Sequence, residues 1–150
     1  MSPGALASLQ SSWQLWAFLS AIFAALTAIF AKIGVEDVNA DFATFIRTIV
    51  ILVCLAAFLF ATRQFQPPAE VPARTYLFLL LSGLATGASW VCYFRALKIG
   101  DAAQVAPIDK LSVVLVAVFA FVFLGERPDA QGWLGIALIA AGAVLIALKR

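Results

Sequence analysis

Residues 42–62 read FATFIRTIVILVCLAAFLFAT, an apolar stretch in which Arg47 is the one charged residue. A helix needs about 20 apolar residues to cross a hydrocarbon core about 30 Å thick. The stretch shows no alternation of polar and apolar residues, and a helix satisfies its own backbone hydrogen bonds in lipid. Residues 42–62 therefore predict a transmembrane helix.

Four further stretches of the same kind accompany it. Their predicted bounds are residues 13–33, 76–97, 105–124 and 133–148. The chain of 150 residues is 64% hydrophobic and 12% charged, with a mean hydropathy of +1.03, which is more apolar than a soluble domain. We predict an all-α membrane protein in which residues 1–12 form an N-terminal extension and residues 13–150 one five-helix domain.

An odd number of crossings places the two termini on opposite sides of the bilayer. A tandem second copy of such a unit would be inverted relative to the first, so the unit is typical of half of an inverted-repeat fold. The basic residues outside the apolar segments are nearly balanced between the two sides, which favours the N-terminus outside only slightly. Insertion in both orientations stays open. The flanking basic residues are Lys32, Lys98, Lys149 and Arg150 on one side and Arg63, Arg74 and Arg127 on the other.

The composition speaks against several classes of function. The net charge of +2 is scattered, so a nucleic-acid partner is not indicated, and without any His a His-based metal site is excluded. Cys54 and Cys92 lie in apolar runs and are expected to be small buried residues. Asp109 is the one plausible buried acid, so we expect neither an enzyme nor a cofactor or metal site.

Polar residues recur along one side of the third segment. Ser82, Thr86, Ser89 and Tyr93 follow helical spacing, with Trp90 beside them. They are consistent with the wall of a substrate path. They are equally consistent with hydrogen bonding between packed helices, because the neighbouring pair Gly83 and Gly87 has the spacing of a close-packing motif.

Charged residues mark the ends of the first three segments. Lys32 and Arg47 flank a loop that contains Glu36, Asp37 and Asp41, so we expect both to lie at the interface near these acids. Arg47 is also a weaker candidate for the path. Arg95 lies nearly opposite the polar side of its helix and is expected to face headgroups or a loop.

Asp109 and Lys110 follow Pro107 near the predicted start of the fourth segment. A proline in a first turn loses no hydrogen bond, and an acid there complements the helix dipole, so no function is required. Alternatively, Lys110 attracts an anionic group and Asp109 orients it or carries a proton.

Small residues characterise the first and fifth segments. Thr27 belongs to a seam of small residues that suits either helix packing or a cavity wall, and is a weaker path candidate. The fifth segment is apolar throughout residues 134–148, so we expect it to face lipid or a dimer partner rather than substrate. Its packing candidates are Gly135, Ala137, Ala141 and Gly142.

The order of these segments resembles the EamA domain of the drug/metabolite transporter superfamily, in its single-domain form. The resemblance covers most of the chain and rests chiefly on five stretches. These are residues 28–34 (AIFAKIG), residues 93–97 (YFRAL), Ala106 with Pro107, residues 124–127 (LGER), and Gly135, Leu138, Ile139 and Gly142 on the fifth segment.

The resemblance implies a secondary transporter, often an exporter, of small metabolites in the cytoplasmic (inner) membrane. Most members carry two inverted domains, so this chain is expected to act by alternating access as a homodimer, parallel or antiparallel, or with a homologous half. A non-transporting accessory subunit or scaffold is the alternative.

The first segment lacks the acidic residue that related small multidrug resistance proteins use for proton exchange. In the family Gly125 would allow a turn, and Glu126 would accept hydrogen bonds from the next helix.

Overall fold

The computed structural model describes residues 12–148, and it is helical throughout the crossings. Five segments are long and apolar enough to span a membrane, which confirms the predicted fold class. Of the predicted N-terminal extension, all but Ser12 lies outside the described residues, as do Lys149 and Arg150. The helices are α1 (Trp13–Gly34), α2 (Ala40–Thr62), α3 (Ala73–Ile99), α4 (Ala102–Asp109), α5 (Ser112–Phe119) and α6 (Ala130–Ala147), with α4, α5 and a π-helical turn (Ala120–Leu124) forming the fourth crossing.

Polar caps and left-handed residues set the helix ends. The Asn39 side chain accepts hydrogen bonds from the first turn of α2, and Asp129 Oδ1 accepts one of 2.7 Å from the Gly132 amide at the start of α6. Gly125 has φ +70°, a conformation that glycine adopts without strain, and there the chain turns as expected. The described contacts give the capping role to Asp129 and not to Glu126.

The fourth crossing is one apolar span from Ala102 to Leu124, but its helix is irregular in the middle. It begins at Ala102, before the predicted residue 105, so Pro107 lies inside α4 and not in its first turn. A proline inside a helix removes one backbone hydrogen bond and crowds the preceding turn, and α4 ends two residues later. Lys110 and Leu111 keep right-handed helical dihedrals, but the amides of Leu111 and Val113 donate to the carbonyls three residues earlier. We call this local interruption of the α-helical hydrogen bonding, before α5 begins at Ser112, the break. The prediction of a harmless first-turn proline is therefore wrong.

One end of the bundle is closed by a small core and two lysines; we call it the capped end. Val35 and Leu97 are almost fully buried there, packed with Phe94. Lys32 Nζ donates to the carbonyl oxygens of Leu97 and Gly100, at 2.9 and 3.0 Å. Lys98 Nζ donates to the carbonyls that follow α1, at 2.6 to 3.0 Å. Its acceptors are Val35, Glu36 and Val38.

These contacts correct the expected pairing of the charged residues. Lys32 bonds to helix-end carbonyls and Arg47 turns inward, so neither is paired with the acids of the first loop. Asp41 instead forms an ion pair with Arg95 at 2.7 Å, in line with the expectation that Arg95 faces a neighbouring loop. An unsatisfied helix terminus in a bilayer is costly, and this explains why the lysines are drawn to carbonyls.

Towards the opposite end the helices separate. The first part of α3, up to Ser89, is exposed, and neither Gly83 nor Gly87 has an atom of another residue within 4 Å of the position a Cβ would take. Cys54 and Cys92 are exposed too, so the expectation that they are buried is wrong. In a bilayer the apolar surface of a helix faces outward as readily as inward, and hydrophobicity alone does not indicate burial.

Candidate functional site

A polar cavity of about 200 Å³ lies where the first four crossings meet. Each crossing contributes at least one side chain to it. The lining residues are Ala24 and Thr27 from α1, Arg47 from α2, Ser89, Trp90 and Tyr93 from α3, and Asp109 and Lys110 from the end of α4. The cavity thus brings together most of the predicted path residues, which are scattered along the sequence.

The depth of the cavity follows from helix register. Thr27, Arg47, Tyr93 and Asp109 each lie about seven residues from the end of their helix at the capped end. At about 1.5 Å per residue, this places them all about 10 Å inside the bundle. The capped end therefore separates the cavity from the loops beyond Lys32 and Lys98.

Arg47 is held in the cavity by aromatic rings. Its guanidinium carbon lies 4.1 Å from the centroid of the Trp90 ring and 5.4 Å from that of Phe94. Contacts of this kind contribute about 0.5–2 kcal/mol, more where water is excluded. Trp90 and Phe94 are four residues apart on one helical face, a spacing that could have pointed to Phe94 before the structure was known.

Asp109 and Lys110 occupy the break in the fourth crossing. Asp109 Oδ2 and Lys110 Nζ are 3.4 Å apart, a loose ion pair whose two side chains both keep some exposure. A stretch of 3₁₀ bonding inside a helix often marks a functional hinge or local strain, and here it lies at the wall of the cavity. The break therefore places both charged groups where a ligand can reach them.

Two larger grooves adjoin the cavity. One of about 640 Å³ runs between α1 and α6 with α4 as its floor, and shares Ala24, Tyr93 and Lys110 with the cavity. The other, of about 470 Å³, lies between α1 and α2 and shares Thr27 and Arg47. The predicted seam on α1 both packs and lines a cavity, since Ala31 is buried while Ala24 and Thr27 line the polar cavity.

The remaining predicted residues lie apart from the cavity. Ser82 and Thr86 are exposed on the separated part of α3, where Thr86 Oγ1 donates to the Ser82 carbonyl. They continue the line of Ser89 and Tyr93 towards the open end.

The small residues of α6 do not share one surface. Gly142 lines the larger groove beside Leu138 and Ile139, whereas Ala137 and Ala141 are exposed. Neither Gly135 nor Gly142 has an atom of another residue within 4 Å of the position a Cβ would take. The expectation that this helix only faces lipid or a partner is thus too narrow, because part of it borders the groove that adjoins the polar cavity.

The chemistry of the cavity is that of binding. Among residues 12–148 no cluster of Cys, Asp and Glu side chains could hold a metal ion. The polar groups of the cavity are two cations, one carboxylate, the indole N–H of Trp90 and the hydroxyls of Thr27, Ser89 and Tyr93. This set can recognise a charged solute. Together with five crossings, this defines a polytopic membrane protein with a small polar cavity inside the helix bundle.

The chain belongs to the EamA-like transporter family, whose model matches residues 11–148. It is 64% identical over 140 residues to the "Uncharacterized transporter in cobO 3'region" of a Sinorhizobium species, covering 93% of this chain and 99% of that protein. It is 28% identical over 146 residues to "Uncharacterized transporter YxxF" of Bacillus subtilis, covering 97% of this chain but 45% of that longer protein.

A shorter match concerns a protein named as a subunit. The chain is 34% identical over 83 residues to the "Probable 4-amino-4-deoxy-L-arabinose-phosphoundecaprenol flippase subunit ArnE" of Pectobacterium atrosepticum, covering 53% of this chain and 71% of that protein. No solved structure matches the chain. Family and relatives support a multi-pass membrane transporter and point away from an enzyme.

Proposed function

We propose that this protein is one half of a secondary transporter that moves small metabolites across the cytoplasmic membrane by alternating access. The observation that carries the proposal is the polar cavity to which four crossings contribute, beside a break in the fourth. Inverted-repeat transporters bind substrate at the interface of their halves, near the middle of the membrane. Thr27, Arg47, Ser89, Trp90, Tyr93, Asp109 and Lys110 would form the site, and Ser82 and Thr86 the path to the open end.

Two copies of the chain would complete the path. The cavity is closed at one end only, and the separated part of α3 exposes Gly83 and Gly87, whose small surfaces suit close packing of another helix. The chain also spans 45% of the length of YxxF, as a half would. A homodimer, parallel or antiparallel, meets these requirements. Export is the direction we propose, because it is common in the family.

A second arrangement has one specific observation in its favour. The relative named as a flippase subunit suggests that such a chain can be paired with a different protein. In that case the chain would be an accessory subunit, and it would transport nothing when purified alone.

Transport can be tested without knowing the substrate. Purified protein is reconstituted into proteoliposomes, which are incubated with a cell metabolite extract, washed, and analysed by mass spectrometry. We expect at least one metabolite to accumulate above the level in protein-free liposomes. If none accumulates with the chain alone, transport by a homodimer is wrong. The same assay after coexpression and copurification of a homologous half then tests the paired arrangement.

A further inference from the structure

We infer that the substrate is an organic anion with an apolar body, whose carboxylate or phosphate group binds Arg47 and Lys110. The inference rests on the proposed transport function and adds the class of solute. It follows from three features of the site: an excess of positive charge, unused hydrogen-bond donors on Arg47, and a small polar cavity that opens into larger apolar grooves.

The charge of the cavity is unbalanced. Arg47 and Lys110 face a single carboxylate, that of Asp109, which lies 3.4 Å from Lys110. Arg47 has no ion-pair partner among residues 12–148 and is surrounded by the rings of Trp90 and Phe94. Arg47 is only partly buried, but a charge partly withdrawn from water without a counter-ion is destabilised, so an anion bound beside Arg47 would reduce that penalty.

Arg47 is also positioned for recognition. Contact with the face of an aromatic ring uses none of the N–H groups of a guanidinium. The structure gives Arg47 no hydrogen bond within the described part of the chain, so its donors remain available. A guanidinium that is fixed in position binds the two oxygens of a carboxylate or phosphate in a bidentate manner, which an ammonium cannot do.

The sizes of the cavities indicate an apolar body. The polar cavity, at about 200 Å³, is below the roughly 300–1,000 Å³ typical of small-molecule pockets. The groove of about 640 Å³ that shares Lys110 and Tyr93 with it is lined mainly by apolar side chains. A ligand with its head at Arg47 and Lys110 would therefore extend its body past Tyr93 into this groove.

Matched probes test the charge and the body separately. The set consists of phenylpropionate, its neutral analogue phenylpropanol, its cationic analogue phenylpropylammonium, propionate, which lacks the ring, and phenyl phosphate. Binding is followed by fluorescence of a variant in lipid nanodiscs that retains Trp90 alone, with Trp13, Trp16 and Trp133 replaced by Phe. We expect phenylpropionate or phenyl phosphate to bind at least about tenfold more tightly than the alcohol, the cation or propionate.

Variants then assign the selectivity to Arg47. In R47Q the preference for the anion over the alcohol should fall below about twofold, while R47K, which keeps the charge but loses the planar donors, should retain part of it. R127Q, a change in a loop remote from the cavity, is the matched control and should behave as the parent. Equal or tighter binding of the alcohol or cation, no saturable binding of either anion, or full selectivity in R47Q would overturn the inference.

The liposome assay separates this inference from the function beneath it. If metabolites accumulate and they are neutral or cationic, the inference is wrong and transport stands. If anionic probes bind selectively but no metabolite accumulates, transport by the chain alone is wrong and the anion site stands.

Discussion

Lys32 of α1 caps the end of α3, and Lys98 of α3 caps the end of α1. Lys32, in the last turn of α1, bonds to the final carbonyls of α3, and Lys98, near the end of α3, bonds to the carbonyls that follow α1. The carbonyls at a helix end have no hydrogen-bond partner within the helix and carry partial negative charge. An ammonium group donates the missing hydrogen bonds and compensates the charge. This reciprocal contact joins α1 to α3 between the cavity and the loops at the capped end.

Removing either lysine should destabilise the fold. K32M or K98M loses charge-assisted hydrogen bonds worth about 1.5–3 kcal/mol and leaves carbonyls unsatisfied at the end of a membrane helix. We expect a lower free energy of unfolding, measured by denaturation in mixed micelles. R127M, for which no side-chain contact is described, should leave stability within about 0.5 kcal/mol of the wild type. Equal stability of all four proteins would contradict the capping role.

The ion pair between Asp41 and Arg95 should contribute much less. Both side chains are about half exposed, and solvent and salt screen pairs of this kind, so that they contribute little to stability. Charge reversal in D41K or R95E should lower stability slightly, and the double variant should recover it. The four unfolding curves, compared as a double-mutant cycle, test this. A coupling energy between Asp41 and Arg95 larger than the loss of unfolding free energy in K32M or K98M would show that the ion pair, and not the lysine caps, holds this end of the bundle together.

Substitutions at different glycines should distinguish packing within the chain from packing between two chains. Gly83 and Gly87 have open space around them, so G83L or G87L should leave the folded monomer intact while reducing the dimer fraction in membranes, measured by crosslinking. At Gly100 a Cβ would lie 3.0 Å from Val105 Cγ2, so G100L should destabilise the fold itself. Unchanged dimerisation in both α3 variants would exclude this face from the interface.

The polar residues of α3 should divide into two groups. Ser89 and Tyr93 line the cavity, so S89A and Y93F should weaken binding of phenylpropionate, by about threefold to tenfold for one lost hydrogen bond. Ser82 and Thr86 lie beyond it, so S82A and T86V should leave the affinity within about twofold. Equal losses at all four positions would mean that the ligand extends along the whole line.

Whether a feature could be predicted from the sequence depends on whether it arises from neighbouring residues or from segments that are distant in the chain. The five crossings and the polar side of α3 were predictable, because length, hydropathy and helical spacing are local properties. Helical spacing places Ser82 to Tyr93 on one line, but it could not reveal where the cavity ends. The neighbouring helices form the cavity beside Ser89, which itself stays exposed, and leave Thr86 outside the cavity.

The errors arose where distant segments meet. The partners of Lys32 and Lys98 are backbone carbonyls 60 or more residues away, and no side-chain pattern identifies them. The lysine in the last turn of each helix was the available signal, since such residues often bond to terminal carbonyls. The break after Pro107 was missed because hydropathy placed the start of the fourth crossing too late.

Asp109 and Lys110 test the central claim, that the cavity is the substrate site. The metabolite that wild-type proteoliposomes accumulate is followed as initial flux in D109N and K110M, with folding and assembly verified by size-exclusion chromatography and crosslinking. R127Q serves as the control and should keep wild-type flux. Loss of at least about 90% of the flux in D109N and K110M, with assembly intact, is the predicted result. Wild-type flux in both variants would contradict the account.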